Sequence, residues 1–323
     1  MKRILSIDGG GIRGVIPARL LSHIEVSAGK PISELFDLIV GTSTGGLIAL
    51  GLTAPGEDGK TPKYSAADLV SLYNRERKNI FPNSLWDKLT SLGGIGDEVY
   101  DHEGLEGVLE DYFGVLELGQ LINNVMVTSY DIRNRKPLFF KNWHDDFKMI
   151  QVRHAARATS AAPTYFEPKK INIDGKRRVL VDGGIFINSP GVSALAEARR
   201  IFPSEEDFFL LSIGTGEHTR SITHKKAKEW GIAGWAKPLL SCIFDGVSDA
   251  ADYQLQLLLG DERYARIQTT LSVASDDMDD VSRENMERLD KEVDTMLKDE
   301  LVMKQLKKTI AAIQSTPSTV VSE

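Results

Sequence analysis

Short unbroken apolar runs alternate along this chain with longer segments whose apolar residues recur every three to four positions. The run Arg3–Asp8, carrying Ile4, Leu5 and Ile7, predicts a short buried strand, and the loop Gly9–Gly14 (GGGIRG) follows it. Pro17 then opens a helix with Leu20, Leu21 and Ile24 on one face, closed by Gly29. Leu35–Val40 predicts a second strand running into Gly41, and Leu47–Leu52 begins the next helix. Strand, loop, helix, strand in this order is the pattern of a parallel α/β sheet.

The same reading continues downstream. Ala54–Lys63, rich in Pro, Gly and charge, predicts a surface loop, while Asp68–Lys78 and Leu105–Phe113 predict helices. Asn124–Asp131 and Lys136–Phe140 predict strands, and His154–Ala162 an alanine-rich helix stopped by Pro163. Arg178–Val181 and Phe208–Ile213 are strand-like, each leading to glycines, and the chain from Ser282 onward is charged and helical. No internal repeat or low-complexity linker interrupts it. The expectation is one catalytic domain over residues 1–313 with a short flexible tail, 314–323.

Composition narrows the function classes. The 323 residues are 41% hydrophobic and 7% aromatic, enough for a large core. No apolar run reaches the roughly 18 residues that would span a bilayer. A formal charge of −7 argues against binding a nucleic acid polymer, which needs Lys and Arg against phosphate. The single Cys242 excludes an intrachain disulfide and a cysteine metal cluster. The first apolar run ends at Asp8, too soon for a signal-peptide core, so a cytoplasmic protein is expected.

Three motifs carry candidate chemistry. Gly41-Thr42-Ser43-Thr44-Gly45 fits G-x-S-x-G between an apolar strand and an apolar helix, the setting of a nucleophile elbow. Gly41 and Gly45 let strand and helix meet where a Cβ would clash, and Ser43 is the candidate nucleophile. The bland reading is a β–α turn whose serine caps the helix. Gly9, Gly11 and Gly14 satisfy G-x-G-x-x-G, which offers a nucleotide-binding protein as an alternative. A dinucleotide site wants an acid at the end of the second strand, where this chain has Ser43. Amides of Gly9, Gly10 and Gly11 instead suit an oxyanion hole beside Ser43. Arg13 either holds that loop, adds positive potential for a phosphate, or forms a surface salt bridge.

The base has several candidates. Of six histidines (His23, His102, His144, His154, His218, His224), His218 follows Phe208–Ile213 and would complete a Ser-Asp-His esterase of α/β-hydrolase type. Only two strands precede Ser43, fewer than that fold places there. The other choice is a carboxylate: Asp182 closes a strand and opens Asp182-Gly183-Gly184, a context Asp8 shares. Asp8 abuts the glycine loop, where its simpler job is to accept that loop's N–H groups. Desolvation would make Asp182 basic enough for the task.

DGGGIRG, GTSTGG and DGG, in this order and spacing, resemble the patatin-like phospholipase family, as do Ala158–Phe166, Asp182–Pro190, Leu211–Gly216 and Thr128–Asn142. The resemblance implies a three-layer α/β/α sandwich around a mainly parallel sheet and a Ser43–Asp182 dyad without histidine. It further implies an oxyanion hole from Gly9, Gly10 and Gly11 with Arg13 in the loop, and Gly14, Gly41, Gly45, Gly183 and Gly184 as supporting glycines. The implied activity is calcium-independent hydrolysis of acyl esters in membrane lipids, with no cofactor and no metal. Some bacterial relatives are switched on by cyclic nucleotides, so a small-molecule activator of that kind is a candidate partner. One departure is Ser189, where many relatives carry asparagine.

A lipase must also reach its lipid. Ile232, Trp235, Leu239, Ile243 and Val247 recur at helical spacing within 230–247, which reads as a core-facing helix or as an interfacial lid; residues 81–96 are a second lid candidate.

Overall fold

The computed structural model describes residues 1–80, 102–217 and 221–315. The lid candidate at 81–96, His218 and the tail beyond Ser315 lie outside them.

Among the described residues, eight strands form one sheet: β1 (Lys2–Ile7), β2 (Leu38–Gly41), β3 (Asn124–Asp131), β4 (Lys136–Lys141), β5 (Lys169–Ile173), β6 (Lys176–Asp182), β7 (Phe208–Ile213) and β8 (Tyr264–Ile267). Their order is β5-β6-β3-β2-β1-β7-β8, with β4 also paired to β3. The pairs β3–β2, β2–β1, β1–β7 and β7–β8 are parallel; β6 joins β3 antiparallel, as β4 and β5 join their neighbours. The sheet is thus mainly parallel, as expected.

Each central strand is buried on both faces, which is why its sequence is nearly continuous apolar rather than alternating. Leu5, Ile7, Ile39, Val125, Phe209 and Leu211 face one core cluster. Their neighbours Ile4, Leu38, Val40, Met126, Phe208 and Leu210 face the other. The first layer contains α1 (Val15–Ala28), α2 (Thr44–Thr53), α3 (Ala66–Ile80), α4 (His102–Phe113) and α5 (Val152–Thr159). The second face is covered by α6 (Gly191–Ile201) and by Leu255 of α7 (Ile232–Arg263). Two further helices, α8 (Arg283–Met296) and α9 (Glu300–Gln314), pack on the first cluster.

Several boundaries differ from expectation for local reasons. Helix α1 starts at Val15, so Pro17 is its third residue, where a missing N–H costs nothing. It ends as expected at Gly29, whose φ of 67° lets its N–H reach the Glu25 carbonyl. Leu35 belongs to a single helical turn, Ile32–Leu35, set by Pro31, and β2 begins only at Leu38. The alanine-rich helix covers Val152–Thr159 rather than 154–162. Strands β5 and β8 went unpredicted: β5 is a five-residue edge strand with only Ile171 and Ile173 apolar, and β8 is four residues at the end of a long helix.

The topology decides where chemistry gathers. Ile7 of β1 lies opposite Gly41 of β2, and Gly41 opposite Val127 of β3. The glycine loop and the Ser43 turn therefore leave the carboxyl edge of the sheet side by side. Two residues further along β3, Ser129 pairs with Asp182, which brings the end of β6 to the same edge.

Candidate active site

Ser43 stands between β2 and α2 with φ 55° and ψ −124°, a conformation that L-residues rarely occupy. The glycines around it explain how the turn closes. A Cβ on Gly41 would run into the Gly45 backbone, and one on Gly45 into the Ile7 carbonyl. The turn is further fixed by Thr42, whose Oγ1 meets Thr128 Oγ1 at 2.8 Å and donates to the Ile187 carbonyl at 2.9 Å. The Ser43 N–H donates to Thr159 Oγ1 at 2.9 Å. That contact was not anticipated; Thr159 lies in the Ala158–Phe166 stretch, but nothing local marks its role.

Asp182 is 1% exposed and caps the short turn after β6, its Oδ1 accepting the Gly184 N–H at 2.8 Å. Its Oδ2 is buried without a hydrogen bond of ordinary geometry. Burial pushes the carboxyl up to about 7, against the Ser43 hydroxyl and the Gly184 N–H, which favour the ionised form. The Ser43 hydroxyl is thus close enough to act on Asp182, although the two are not aligned as a hydrogen bond. Catalytic contacts commonly tighten only with substrate.

The glycine loop divides its amides. Gly9 N–H donates to the Asn188 carbonyl at 3.2 Å and Ile12 N–H to the Met278 carbonyl at 2.8 Å. The Gly9 amide is thereby committed to anchoring the loop, a correction to its expected place in an oxyanion hole. Gly10 and Gly11 N–H find no acceptor among the described residues, and both glycines line the pocket that holds Ser43. Arg13 is buried, with Nε on the Gly10 carbonyl at 3.4 Å and Nη1 on the Gly216 carbonyl at 3.3 Å. It holds the loop from a buried position rather than lying on the surface.

Asp8 does not accept amides of the loop. Its Oδ2 pairs with Arg266 Nη2 at 2.7 Å, and Arg266 Nη1 donates to Ser212 Oγ at 2.8 Å. Burial pushes the Asp8 carboxyl up while the guanidinium pulls it back. The nucleotide alternative also loses its site. A side chain on Gly10 would meet Thr215, one on Gly11 the Met278 carbonyl, and one on Gly14 both Thr44 and Tyr73, so protein already packs these glycines. Gly183 likewise lies against Thr128, and Gly184 against Phe244.

Around Ser43 and Asp182 lies a largely apolar cavity, walled by Leu47, Tyr73, Leu105, Tyr165, Phe166 and Phe244 among others. A second apolar cavity shares Leu47, Tyr73, Ile80 and Leu105 with it and runs on to Tyr64, Tyr112 and Phe113. No described histidine lines either cavity. His154 lies in a separate polar pocket with Arg153, Arg157 and Lys169. In the lid segment at 230–247, Phe244 points into the active-site cavity, whereas Leu239 is 48% exposed. Among the described residues no helix is long and apolar enough to cross a membrane.

A model of the patatin-like phospholipase family matches residues 5–195, which include the glycine loop, Ser43 and Asp182. Patatin-like protein 2 of Oryza sativa subsp. indica is 32% identical, the alignment covering 90% of this chain and 82% of the relative. Patatin-like protein 4 of Arabidopsis thaliana is 32% identical over 93% of this chain and 84% of its own length. Patatin-2-Kuras 1 of Solanum tuberosum is 32% identical over 92% and 87%. With the family match running through more than half of its residues and these relatives aligned along most of theirs, the chain belongs to the patatin-like phospholipase family.

Proposed function

We propose that the chain is a calcium-independent serine acyl hydrolase that cleaves fatty-acyl esters of membrane phospholipids with Ser43 as nucleophile and Asp182 as base. The observation that carries this reading is a serine in a strained turn beside a buried carboxyl whose pKa is pushed up to about 7. A base is most useful with a pKa near the working pH, so no histidine is required.

In the first step Ser43 Oγ attacks the ester carbon while its proton passes to Asp182 Oδ2. The carbonyl electron pair moves onto oxygen, where the free N–H groups of Gly10 and Gly11 receive it; each such donor is worth about 10²–10³ in rate. The Thr44 N–H, first in α2, adds the positive end of a helix to the same side. Collapse of the tetrahedral intermediate breaks the ester bond, and the departing lysolipid alkoxide takes the proton from Asp182. Water then attacks acyl-Ser43, giving its proton to Asp182; as the second tetrahedral intermediate collapses, the bond to Ser43 Oγ breaks, Oγ takes that proton from Asp182, and the fatty acid leaves. The joined apolar cavities suit the acyl chain, which must leave the lipid layer while the headgroup stays near the mouth. Peripheral contact with the lipid surface follows from that need.

The test is fatty-acid release from phospholipid vesicles in a calcium chelator, together with fluorophosphonate labelling. Wild type should release fatty acid and take label on Ser43, and both Ser43→Ala and Asp182→Asn should abolish release. Label on another residue, or release that survives Asp182→Asn, would remove this mechanism.

A further inference from the structure

Ser43 follows β2 and Asp182 ends β6, with β3 between the two strands. The sheet brings both to one edge, and a second connection joins them outside it. Residues 159–161, at the end of α5, touch the two together. Thr159 Oγ1 accepts the Ser43 N–H at 2.9 Å, and two residues on the Ala161 carbonyl accepts the Asp182 N–H at 2.9 Å. Ser160, between them, lines the cavity that holds Ser43 and Asp182. The segment is itself fixed at each amide: Ser160 N–H donates to the Ala156 carbonyl at 3.2 Å, Ala161 N–H to Ala158 at 3.4 Å and Ala162 N–H to Ser160 at 2.9 Å. It can approach this closely because Ala155, Ala156, Ala158 and Ala161, all fully buried, add little bulk between its backbone and the sheet.

Thr159 is fully buried as well, and its side chain sits against Gly46 in the first turn of α2. A Cβ on Gly46 would meet Thr159 Cγ2 at 2.9 Å and Oγ1 at 3.1 Å, so the bare glycine is what admits the hydroxyl there. Ser43 occupies the N-cap of α2, a place where a serine hydroxyl ordinarily turns back to accept an N–H of the first turn. The Ser43 side chain makes no such bond. The hydroxyl that serves the Ser43 backbone comes from Thr159 instead, which leaves the Ser43 hydroxyl to face Asp182. The same bond grips the residue held at φ 55°. A strained conformation persists only where its surroundings over-determine it.

We propose that Thr159 is a positioning residue of this hydrolase: its hydroxyl, joined through Ser160 to the Ala161 carbonyl, keeps the Ser43 oxygen in register with the Asp182 carboxylate. The inference rests on the lipid-hydrolase reading above. Thr159 meets neither the substrate nor the travelling proton and acts through the Ser43 backbone. Misplacing a reacting atom by about 1 Å can cost on the order of 10² in rate. Loss of the Thr159 hydroxyl frees the turn to rotate and carries Oγ away from Asp182, while the walls that hold the acyl chain stay as they are. The carboxyl responds too. Against burial, which raises it, the Ser43 hydroxyl and the Gly184 N–H both lower it. Drawing the hydroxyl away removes one of the two and moves the carboxyl further up.

The test compares wild type with Thr159→Val, Thr159→Ser and Gly46→Ala, in the pH profile of fatty-acid release and in the rate of fluorophosphonate labelling at Ser43, both per folded molecule. Valine keeps the shape and drops the hydroxyl: kcat should fall about 10²-fold with KM nearly unchanged, and the acid limb of kcat/KM should move to higher pH. Serine keeps the hydroxyl and should return most of the rate and bring the limb back. Gly46→Ala, at a helix position that alanine suits, presses on Thr159 from the other side. It should reproduce the valine signature, and it carries the test if Thr159→Val does not fold. Loss of rate with the acid limb unmoved, equal losses in the valine and serine variants, or wild-type kcat without the hydroxyl overturns the proposal. Wild-type and valine proteins that take label at the same rate sink the positioning role alone. A wild type that takes no label and releases no fatty acid removes the hydrolase reading, and the role of Thr159 with it.

Discussion

Replacing Asp182 by Asn should make this protein more stable as it abolishes activity, and the gain should depend on pH in a defined way. An aspartate in the unfolded chain loses its proton near 3.8, whereas Asp182 in the fold holds its proton up to about 7. Between those values the folded state keeps a proton that the unfolded state has released. Stability therefore falls as pH rises through that window, and the full penalty applies above about 7. The shift of roughly three units corresponds to about 4 kcal/mol, at 1.36 kcal/mol per unit, as an upper bound for a fully buried group. That is a large part of the 5–15 kcal/mol by which folded proteins are typically stable.

Asn has the same shape, stays neutral, and keeps an oxygen that can accept the Gly184 N–H. Its advantage over wild type should grow by about 2–3 kcal/mol between pH 5 and pH 8 and stay level at higher pH. Urea unfolding of both proteins at half-unit intervals measures this, because the other titrating groups are shared and cancel in the difference. In wild type, log kcat/KM should rise with unit slope below about pH 7 and flatten above it, as the base loses its proton. A stability difference that does not change with pH would refute the reasoning, since Asp182 would then titrate alike in folded and unfolded chains. An activity profile flat down to pH 5 would refute it equally.

Three other outcomes are expected. Gly11→Ala, at φ 59° and facing the Met278 carbonyl, should displace the loop amides and lower kcat about 10²–10³-fold with little change in KM, read by steady-state kinetics. Ser43→Gly should raise stability by roughly 1 kcal/mol in urea, since the strain it relieves, about 1–3 kcal/mol, exceeds what glycine adds to the freedom of the unfolded chain. Arg266→Met should cost about 3–5 kcal/mol by stranding the buried Asp8 carboxylate, and adding Asp8→Asn should recover much of the loss, measured as a double-mutant cycle of unfolding free energies.

What could be read in advance follows the range of the interactions. The Ser43 turn depends on Gly41 and Gly45, which are local, and on an apolar strand and helix that flank it, which are also local. The parallel sheet was legible for the same reason, since doubly buried strands such as Phe208–Ile213 write continuous apolar runs. Gly9 was misplaced because its amide is claimed by the Asn188 carbonyl, a contact across the whole domain that no spacing rule records. Thr159 escaped notice likewise: it reaches the site from a helix whose docking is decided by tertiary packing. Strand β8 was illegible since four residues, Tyr264–Ile267, interrupted by Arg266, carry too short a pattern until β7 supplies a partner.

The two aspartates make the point most sharply. Asp8 and Asp182 each end a strand and each precede two glycines, so the chain offers no local reason to tell base from scaffold. Both are buried to 1% exposure. The difference arrives from β8: Arg266 places a guanidinium 2.7 Å from Asp8, and among the described residues no cation does the same for Asp182. A carboxylate with a full counter-charge is held in place and has little use for a proton. One that meets only a hydroxyl and a single amide N–H stays poorly compensated, and taking the proton from that hydroxyl relieves it. On the proposed mechanism, Asp182 suits the role of base as much through lacking a cation among the described residues as Asp8 suits a structural role through having one. Giving Asp182 a cation would be expected to stabilise its carboxylate and to weaken it as a base for the same electrostatic reason.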